Sequence, residues 1–300
     1  LSNEDTERLR ALRLRTFTVT TIPMGFPAHG GHHQLEEALE QLCNSVELAA
    51  TGEQPLIILS DRDLPDHLAP IPALLAVSAA NQRLIRRGMR TGASIIVETG
   101  EARDVHQIAL LLGYGATAIN PYIAFESVAD LAARKVLEQD VGVTKALENY
   151  IKALSKGLLK IMSKMGISTL RSYRGAQVFE SVGLSSHLVQ RYFTGTSSRV
   201  GGIDLTDIAI EARARYESAQ DRSTDTRNIL TSGGAYRFRK DGERHLWNPD
   251  SISKLQLAAR TNNYLLFKEY ERLIDDQSER QSTLRGLFKF RKTSPVPIDE

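Results

Sequence analysis

The chain has 300 residues and a formal net charge of +2, with 41% hydrophobic and 25% charged residues, which suffices for one large domain or two small ones. This charge balance provides no strong field for binding nucleic acid or an anionic membrane surface, so neither is an expected partner. No apolar run reaches the ~20 residues that a membrane-spanning helix needs, and residues 1–14 are too highly charged for a signal peptide.

The N-terminal half repeats a strand–helix pattern in which each helix stops at a glycine. The predicted strands are Phe17–Ile22, Leu56–Ser60, Ser94–Glu98 and Ala116–Asn120, and the predicted helices are Leu35–Thr51, Pro72–Arg87 and Ala102–Leu112. Continuous apolar strands joined by helical crossovers are typical of a parallel sheet buried on both faces, which predicts a barrel or a doubly wound sheet. Gly52, Gly88 and Gly113 follow the helices and are predicted to adopt the left-handed C-cap conformation.

The second half is predicted to be more helical and less regular. The predicted helices are Val143–Met165, which is long and ended by a left-handed Gly166, Ser186–Tyr192 and Leu205–Ala219. A strand at Val178–Val182 could return to the sheet, and Asp221–Gly234 is predicted to be an exposed connector. A last helical stretch, Ile252–Ile274, is broken near Thr261–Asn263. The sequence therefore predicts an α/β domain whose residues 1–135 form a regular βα half and whose residues 136–300 form a helix-rich half.

Polar side chains follow the carboxyl ends of three predicted strands, the edge at which ligands and catalytic groups gather in α/β folds. They are Ser60, Asp61, Arg62, Glu98, Glu101, Arg103, Asn120 and Tyr122, and we call this set the rim. We interpret the rim as a structural network in which Arg62 and Arg103 pair with Asp61, Glu98 or Glu101, an arrangement compatible with lining a passage. Direct catalysis by these groups is the alternative.

Other polar motifs favour structural interpretations. His29, His32 and His33 lie in one glycine-rich loop, but a metal site needs a further ligand and a fixed frame, so a solvated or interface loop is favoured. The segment Gly195–Gly202 could cradle an anion before a helix, yet it lacks the order of a P-loop and is followed by an aspartate. The one cysteine, Cys43, lies on an amphipathic helix and is interpreted as a buried structural thiol; its isolation fits a reducing, cytoplasmic compartment.

The segment Lys156–Leu184 runs from a helix end into SYRGAQVFESVGL, a string that no amphipathic rule requires. It resembles the part of the glutamate synthase large polypeptide that joins the glutaminase domain to the FMN barrel. Further segments resemble the same family in the same order: Leu56–Leu64, Ala69–Arg90, Ile95–Tyr122, Tyr192–Ala212, Gly242–Pro249 and Leu284–Phe290. Where the family usually has consecutive histidines, this chain has Ala80–Arg83, so any role of those histidines is not transferable.

The resemblance implies a degenerate (βα) barrel that connects the glutaminase and FMN domains of the same polypeptide and helps to wall a passage for ammonia. It implies an oxidoreductase of ammonia assimilation that makes glutamate from glutamine and 2-oxoglutarate with NADPH, NADH or ferredoxin. FMN and an iron–sulfur cluster are implied for the complete enzyme but not for this chain, which we expect to be a middle piece ending where the FMN domain begins. No catalytic, cofactor-binding or metal-binding residue is assigned. The alternative is an autonomous barrel-like enzyme or small-molecule binder that uses the rim.

The isolated 300-residue chain is predicted to be inactive and colourless. The family's glutaminase nucleophile is an N-terminal cysteine, but residue 1 here is leucine, and one cysteine is too few for an iron–sulfur cluster. An absorbance spectrum of the purified chain and an ammonia-release assay with glutamine test this prediction. Stoichiometric flavin that co-purifies with the chain would instead favour the autonomous enzyme.

Overall fold

A computed structural model describes residues 1–13, 16–31, 33–137, 141–220 and 233–275, together with the single residues 288 and 294. The chain divides into two compact units, Leu1–Asp221 and Arg222–Glu300. The predicted connector at 221–234 and the family-like segment at 284–290 lie almost entirely outside the described residues. No helix among the described residues is both long enough and apolar enough to cross a bilayer.

The first unit begins with a helix and then alternates strands and helices. In chain order its regular elements up to residue 133 are α1 (Asn3–Arg10), β1 (Val19–Pro23), β2 (Gly25–Pro27), α2 (Gln34–Ala49), β3 (Leu56–Ser60), β4 (Leu68–Pro70), α3 (Ala73–Arg86), β5 (Ser94–Glu98), α4 (Val105–Gly113), β6 (Ala118–Asn120) and α5 (Tyr122–Ala133). The predicted strands and crossover helices are confirmed, and β3 and β5 have the predicted bounds. The sequence analysis missed α1, α5 and the short antiparallel pair β2–β4.

Strands β1, β3, β5 and β6 form a four-stranded parallel sheet in that spatial order. Side chains alternate between its two faces. Ile57, Leu59, Ile95, Val97 and Ile119 belong to the main hydrophobic core together with side chains of α2, α3 and α4. The next residues along the strands point to the opposite face, where Ile58 and Ile96 are also buried but lie outside that core. The fold is therefore α/β with a parallel sheet covered on both faces; closure into a degenerate barrel stays a prediction.

The rest of the first unit is mostly helical. Its elements are α6 (Val143–Lys164), α7 (Leu170–Tyr173), β7 (Glu180–Leu184), α8 (Ser186–Tyr192), β8 (Ser197–Ile203) and α9 (Leu205–Gln220). The predicted return of a strand near residue 180 to the main sheet is wrong, because β7 instead pairs in parallel with β8 in a separate two-stranded sheet. β7 is largely exposed, with only Ser181 buried, whereas a strand inside a covered parallel sheet would need apolar residues on both faces.

The second unit contains two helices, α10 (Pro249–Thr261) and α11 (Tyr264–Asp275), which pack against each other. Asn248 caps the start of α10 through its side-chain oxygen, which accepts from the backbone nitrogens of Asp250 and Ser251. Asn262 takes a left-handed conformation with φ of 48° and separates the two helices. The break predicted near Thr261–Asn263 is thus confirmed, and asparagine provides it because its short polar side chain tolerates that conformation.

The glycine predictions are correct at two positions and wrong at two. Gly88 and Gly166 have φ of 70° and follow helices, as predicted. Gly52 and Gly113 are not left-handed; α4 includes Gly113, and Gly115, with φ of 121°, makes the turn instead. Gly113 is needed for close packing, since a Cβ atom there would lie 2.5 Å from the ring of Phe179.

These differences predict unequal costs for glycine-to-alanine substitutions. Gly88→Ala meets open space and should lower the free energy of unfolding by about 1–2 kcal/mol through backbone strain alone. Gly115→Ala should lower it further, because its Cβ atom would also lie 2.4 Å from the side-chain amide of Asn81. Urea unfolding midpoints measure both, with Gly92→Ala as a control that meets neither strain nor a clash. Equal losses at positions 88 and 115 would contradict this account.

Candidate functional site

The carboxyl edge of the parallel sheet places three rim residues side by side. Ser60, the last residue of β3, lies opposite Glu98 at the end of β5, and Glu98 lies opposite Asn120 at the end of β6. All three side chains are buried, and those of Glu98 and Asn120 are fully inaccessible. The edge therefore presents a continuous polar row that is closed to solvent.

Glu98 is the central residue of this row. One oxygen, Oε2, accepts a hydrogen bond from the Ser60 hydroxyl and an ion-paired hydrogen bond of 2.6 Å from Nη2 of Arg10. The other, Oε1, has no hydrogen-bond partner but lies 3.8 Å from Nη1 of Arg62. A carboxylate buried this deeply is tolerated only when cations compensate its lost hydration, and two guanidinium groups provide this compensation.

The N-terminal segment covers this edge. Asn120 donates from Nδ2 to the carbonyl of Leu1 at 3.1 Å and to Oδ1 of Asn3 at 2.9 Å, and the backbone nitrogen of Leu1 donates to the carbonyl of Ile119. α1 also contacts β1 and contributes the Arg10 guanidinium. The carboxyl edge is therefore occupied by the chain itself rather than open as a cleft.

Sequence reasoning missed α1 and its role, although one signal was present. Ser2 and Asp5 form a reciprocal capping box, in which the Ser2 side chain accepts from the backbone nitrogen of Asp5 and the Asp5 carboxylate accepts from the backbone of Ser2. This motif marks a helix start. The helix has almost no apolar stripe, however, so periodicity could not show which face it buries.

Asp61 lies next to this row and is held by neutral donors. Its carboxylate accepts hydrogen bonds from the Thr99 hydroxyl and from the backbone nitrogen of Gly100 at 3.0 Å. Burial raises the pKa of Asp61 from 3.8 to about 6, although the bonds from Thr99 and Gly100 act in the opposite direction. Burial and then the nearby Asp61 charge raise the pKa of Tyr122.

Arg62 connects Glu98 with α5. Besides Glu98, it pairs with Glu126 of α5 at 3.3 Å, and its guanidinium lies over the ring of Tyr122 at 5.1 Å from the centroid. The stacked position keeps the cation beside the buried Glu98 oxygen that lacks a hydrogen bond. The predicted network is thus present around Arg62, which contacts Glu98 rather than the hydrogen-bonded carboxylate of Asp61.

The remaining two rim residues have other roles. The Glu101 carboxylate accepts a hydrogen bond of 2.7 Å from the backbone nitrogen of Ala73. This bond caps the start of α3, because the N-cap residue Pro72 provides no side-chain acceptor. Arg103 is exposed, and its main chain bonds to Gln107 and Tyr150. Within the described part of the chain its guanidinium forms no ion pair, so the expected pairing of Arg103 with a rim carboxylate is not formed there. The structure brings together Ser60, Asp61, Arg62, Glu98, Asn120 and Tyr122 and leaves Arg103 apart from them.

The other candidate motifs have structural surroundings. Burial raises the pKa of the Cys43 thiol to about 11, in agreement with a structural cysteine. His33 is exposed and lies 3.8 Å from Glu37, and His32 lies outside the described residues. The described residues contain no group of three or more His, Cys, Asp or Glu side chains placed to hold a metal ion. The segment considered as an anion cradle forms β8, where Arg199 pairs with Glu180.

The family model and the curated relatives that match this chain all indicate one family, glutamate synthase. The family described as glutamate synthase central domain matches residues 1–185. The glutamate synthase (NADPH) large chain of Bacillus subtilis is 47% identical over 267 residues, which cover 89% of this chain and 17% of the relative. The large chain of Azospirillum brasilense is 40% identical over 94% of this chain and 18% of its own length. The ferredoxin-dependent glutamate synthase of Pyropia yezoensis is 36% identical over 92% of this chain and 18% of its own length. This chain therefore spans less than one fifth of the length of these relatives.

Among solved structures, a flavocytochrome b2 bound to benzoylformate is similar over 58% of this chain and 38% of its own. The TM-score is 0.37 and the sequence identity is 14%. A likeness this weak carries no argument about the site.

The pKa of Asp61 predicts a specific pH dependence of stability. The folded state binds the proton of the Asp61 carboxyl group more tightly than the unfolded chain does. The stabilisation that this protonation provides is therefore complete below pH 3.8 and is lost as the pH rises through about 6. Asp61→Asn removes this titration. As the pH rises from 4 to 7.5, the free energy of unfolding of the variant should therefore increase relative to that of the parent, by at most about 3 kcal/mol because the site is partly solvated. Urea unfolding across that range measures the gain.

Asp63→Asn is the matched control, since it removes a carboxylate from the same loop where the side chain is 94% exposed. A gain with pH that is equal in both variants would contradict the assignment to Asp61.

Proposed function

Because the chain belongs to the glutamate synthase central domain family, we propose that it acts as the connecting domain of a glutamate synthase and performs no bond chemistry itself. The observation that carries the proposal is the family match over residues 1–185 combined with similarity to glutamate synthase large chains over about nine-tenths of this chain. The chain covers 17% and 18% of the first two relatives, so the remaining activities would reside in other parts of the polypeptide.

In this proposal the neighbouring parts are a glutaminase domain and an FMN-containing synthase domain. Ammonia is released in one and added to 2-oxoglutarate in the other. Ammonia that escapes to water is protonated and is lost as a nucleophile, so the two sites need a sheltered connection. FMN, the iron–sulfur cluster and the NADPH, NADH or ferredoxin donor would belong to the complete enzyme and not to this chain.

The geometry of the carboxyl edge supports a connecting role over a small-molecule site. Ser60, Glu98 and Asn120 are buried beneath the chain's own N-terminal segment, and a substrate at this edge would have to displace α1. The contacts of Arg10 and Asn120 instead form a seal. Glu101 and Arg103 remain exposed on the outer side of the rim, where they can contact a neighbouring domain.

The seal consists mainly of charge-assisted contacts. Arg10 is the only residue of α1 that forms an ion pair with a strand of the sheet among the described residues, and it does so with a carboxylate that has no access to water. Removing this cation would leave Glu98 with Arg62 at 3.8 Å as its remaining charged neighbour. The expected consequence is a looser attachment of α1 to the edge, with no direct change in either reaction.

The test uses the complete glutamate synthase polypeptide that carries this chain, with Arg10→Gln as the variant. We expect a higher ratio of glutamine hydrolysed to glutamate formed, because ammonia leaks, while glutamate synthesis from added ammonium stays normal. Arg8→Gln is the matched control, since Arg8 lies on the same helix but is 71% exposed, and among the described residues it pairs only with Glu4 of α1.

Two outcomes would contradict the proposal. An unchanged ratio in a folded Arg10→Gln enzyme would show that the edge does not contribute to the seal. A loss of ammonium-dependent synthesis at full flavin content would show that the edge takes part in the synthase reaction itself.

A further inference from the structure

The amino ends of the strands form a second polar site at the opposite edge of the sheet. A cavity of about 450 Å³ opens there, near the first residue of β5 and the residue that precedes β6. Its lining residues include three arginines, Arg90, Arg171 and Arg174, and three residues with hydroxyl groups, Thr91, Ser94 and Thr117. Among the residues that the structure describes, no acidic residue lines the cavity.

Arg90 is fixed at the inner side of this cavity by neutral partners. Its Nε donates to Oδ1 of Asn81, its Nη1 to the carbonyl of Ala93 at 2.7 Å and its Nη2 to the carbonyl of Gly115 at 2.6 Å. A guanidinium has five N–H groups, so two of its donors remain available after these three bonds. Burial and the nearby Arg174 charge lower the pKa of Arg90.

A structural role accounts for Arg90 but not for the two other arginines. Arg174 uses one N–H group in a bond of 3.1 Å to Oγ1 of Thr117, and Arg171 forms no hydrogen bond or ion pair within the described part of the chain. None of the three guanidinium groups pairs with a carboxylate among the described residues, whereas Arg10 and Arg62 at the other edge both do. Three cations are thus held around one cavity without an anion.

The hydroxyl of Thr117 is also oriented as a donor. Its oxygen accepts from Arg174 and, at 3.3 Å, from the backbone nitrogen of Ile95. Because both lone pairs are used, the hydroxyl hydrogen is left to donate to a further acceptor. The cavity therefore combines charged and neutral donors.

We propose that this cavity, between the end of α3, the start of β5 and the end of α7, binds the phosphate group of a small molecule. Guanidinium groups bind phosphate oxygens through paired, charge-assisted hydrogen bonds, and two or three of them match the charge of a phosphate dianion. A volume of about 450 Å³ lies within the range of small-molecule sites and exceeds what one phosphate ion fills. The proposal is independent of the connecting role, because it concerns the opposite edge of the sheet.

Binding is tested by calorimetry on the complete polypeptide with its cofactors bound. Inorganic phosphate and adenosine monophosphate are titrated separately at constant ionic strength, with potassium chloride as the reference anion. Arg174→Gln retains a donor for Thr117 but removes a charge, and should weaken phosphate binding about tenfold. Arg171→Gln removes an exposed cation that has no structural bond, and should weaken binding without affecting folding.

Arg199→Gln is the matched control, since it removes an arginine that is 86% exposed on β8 and is not among the residues that line the cavity. Phenylglyoxal labelling followed by peptide mass spectrometry locates the site: phosphate should protect Arg171 and Arg174 but not Arg199. Tighter binding of adenosine monophosphate than of phosphate would support a phosphorylated metabolite, and tighter binding of phosphate would support the free ion; either outcome supports the site.

The proposal is overturned if neither ligand binds, if chloride at equal ionic strength gives the same protection, or if the cavity variants and Arg199→Gln bind alike. A failure of Arg174→Gln to fold would leave Arg171→Gln and the labelling of the parent protein as decisive measurements. None of these readouts depends on the coupling of glutamine hydrolysis to glutamate formation, so the connecting role and the phosphate site can fail separately.

Discussion

The burial of the Glu98 carboxylate constrains everything at the carboxyl edge of the sheet. A charged group at the end of a central strand loses its hydration, and it is stable only if cations and hydrogen-bond donors replace the water. Ser60 supplies a neutral donor from the neighbouring strand, and Arg62 supplies a cation from the loop after it. The remaining cation, Arg10, comes from α1, so the position of the N-terminal helix is linked to the electrostatics of β5.

Two carboxylates at this edge are stabilised in different ways. Glu98 contacts guanidinium groups, whereas Asp61 is held by a hydroxyl and a backbone nitrogen and has a pKa of about 6. Protonation of Asp61 just below neutrality would remove one negative charge beside Arg62 and Tyr122 without breaking the Arg10 contact. The attachment of α1 and the local charge of the edge can therefore vary independently.

The parts of this fold that the sequence predicts are those that depend on burial of apolar residues. Strands β3 and β5 have the predicted bounds because their apolar runs are buried on both faces and their ends coincide with the first polar residues. α1 could not be predicted in place, since it is attached by polar contacts from Arg10 and Asn3 rather than by an apolar stripe. The pairing of β7 with β8 likewise depends on contacts between largely exposed segments that lie outside the main sheet.

The rim residues were identifiable because parallel strands bring their carboxyl ends to one edge, but their partners were not. Arg62 and Arg103 are equivalent in the sequence, each following a strand and lying near carboxylates. Only the three-dimensional structure shows that one stacks on Tyr122 beside Glu98 and the other is exposed. The requirement for glycine at position 113 similarly depends on the ring of Phe179, which is distant in the sequence.

Parallel strands also explain why the two edges can carry opposite electrostatics. All amino ends lie at one edge and all carboxyl ends at the other, so β5 connects Ser94, which lines the arginine-rich cavity, with Glu98, which anchors α1. The four steps from Ser94 to Glu98, at about 3.3 Å each, separate the edges by roughly 13 Å, more than a Debye length at physiological salt. Substitutions at the two edges share no partner and should have additive effects on stability. A double variant of Arg10 and Arg174 whose destabilisation departs from the sum of the single ones would show that β5 transmits strain from one edge to the other.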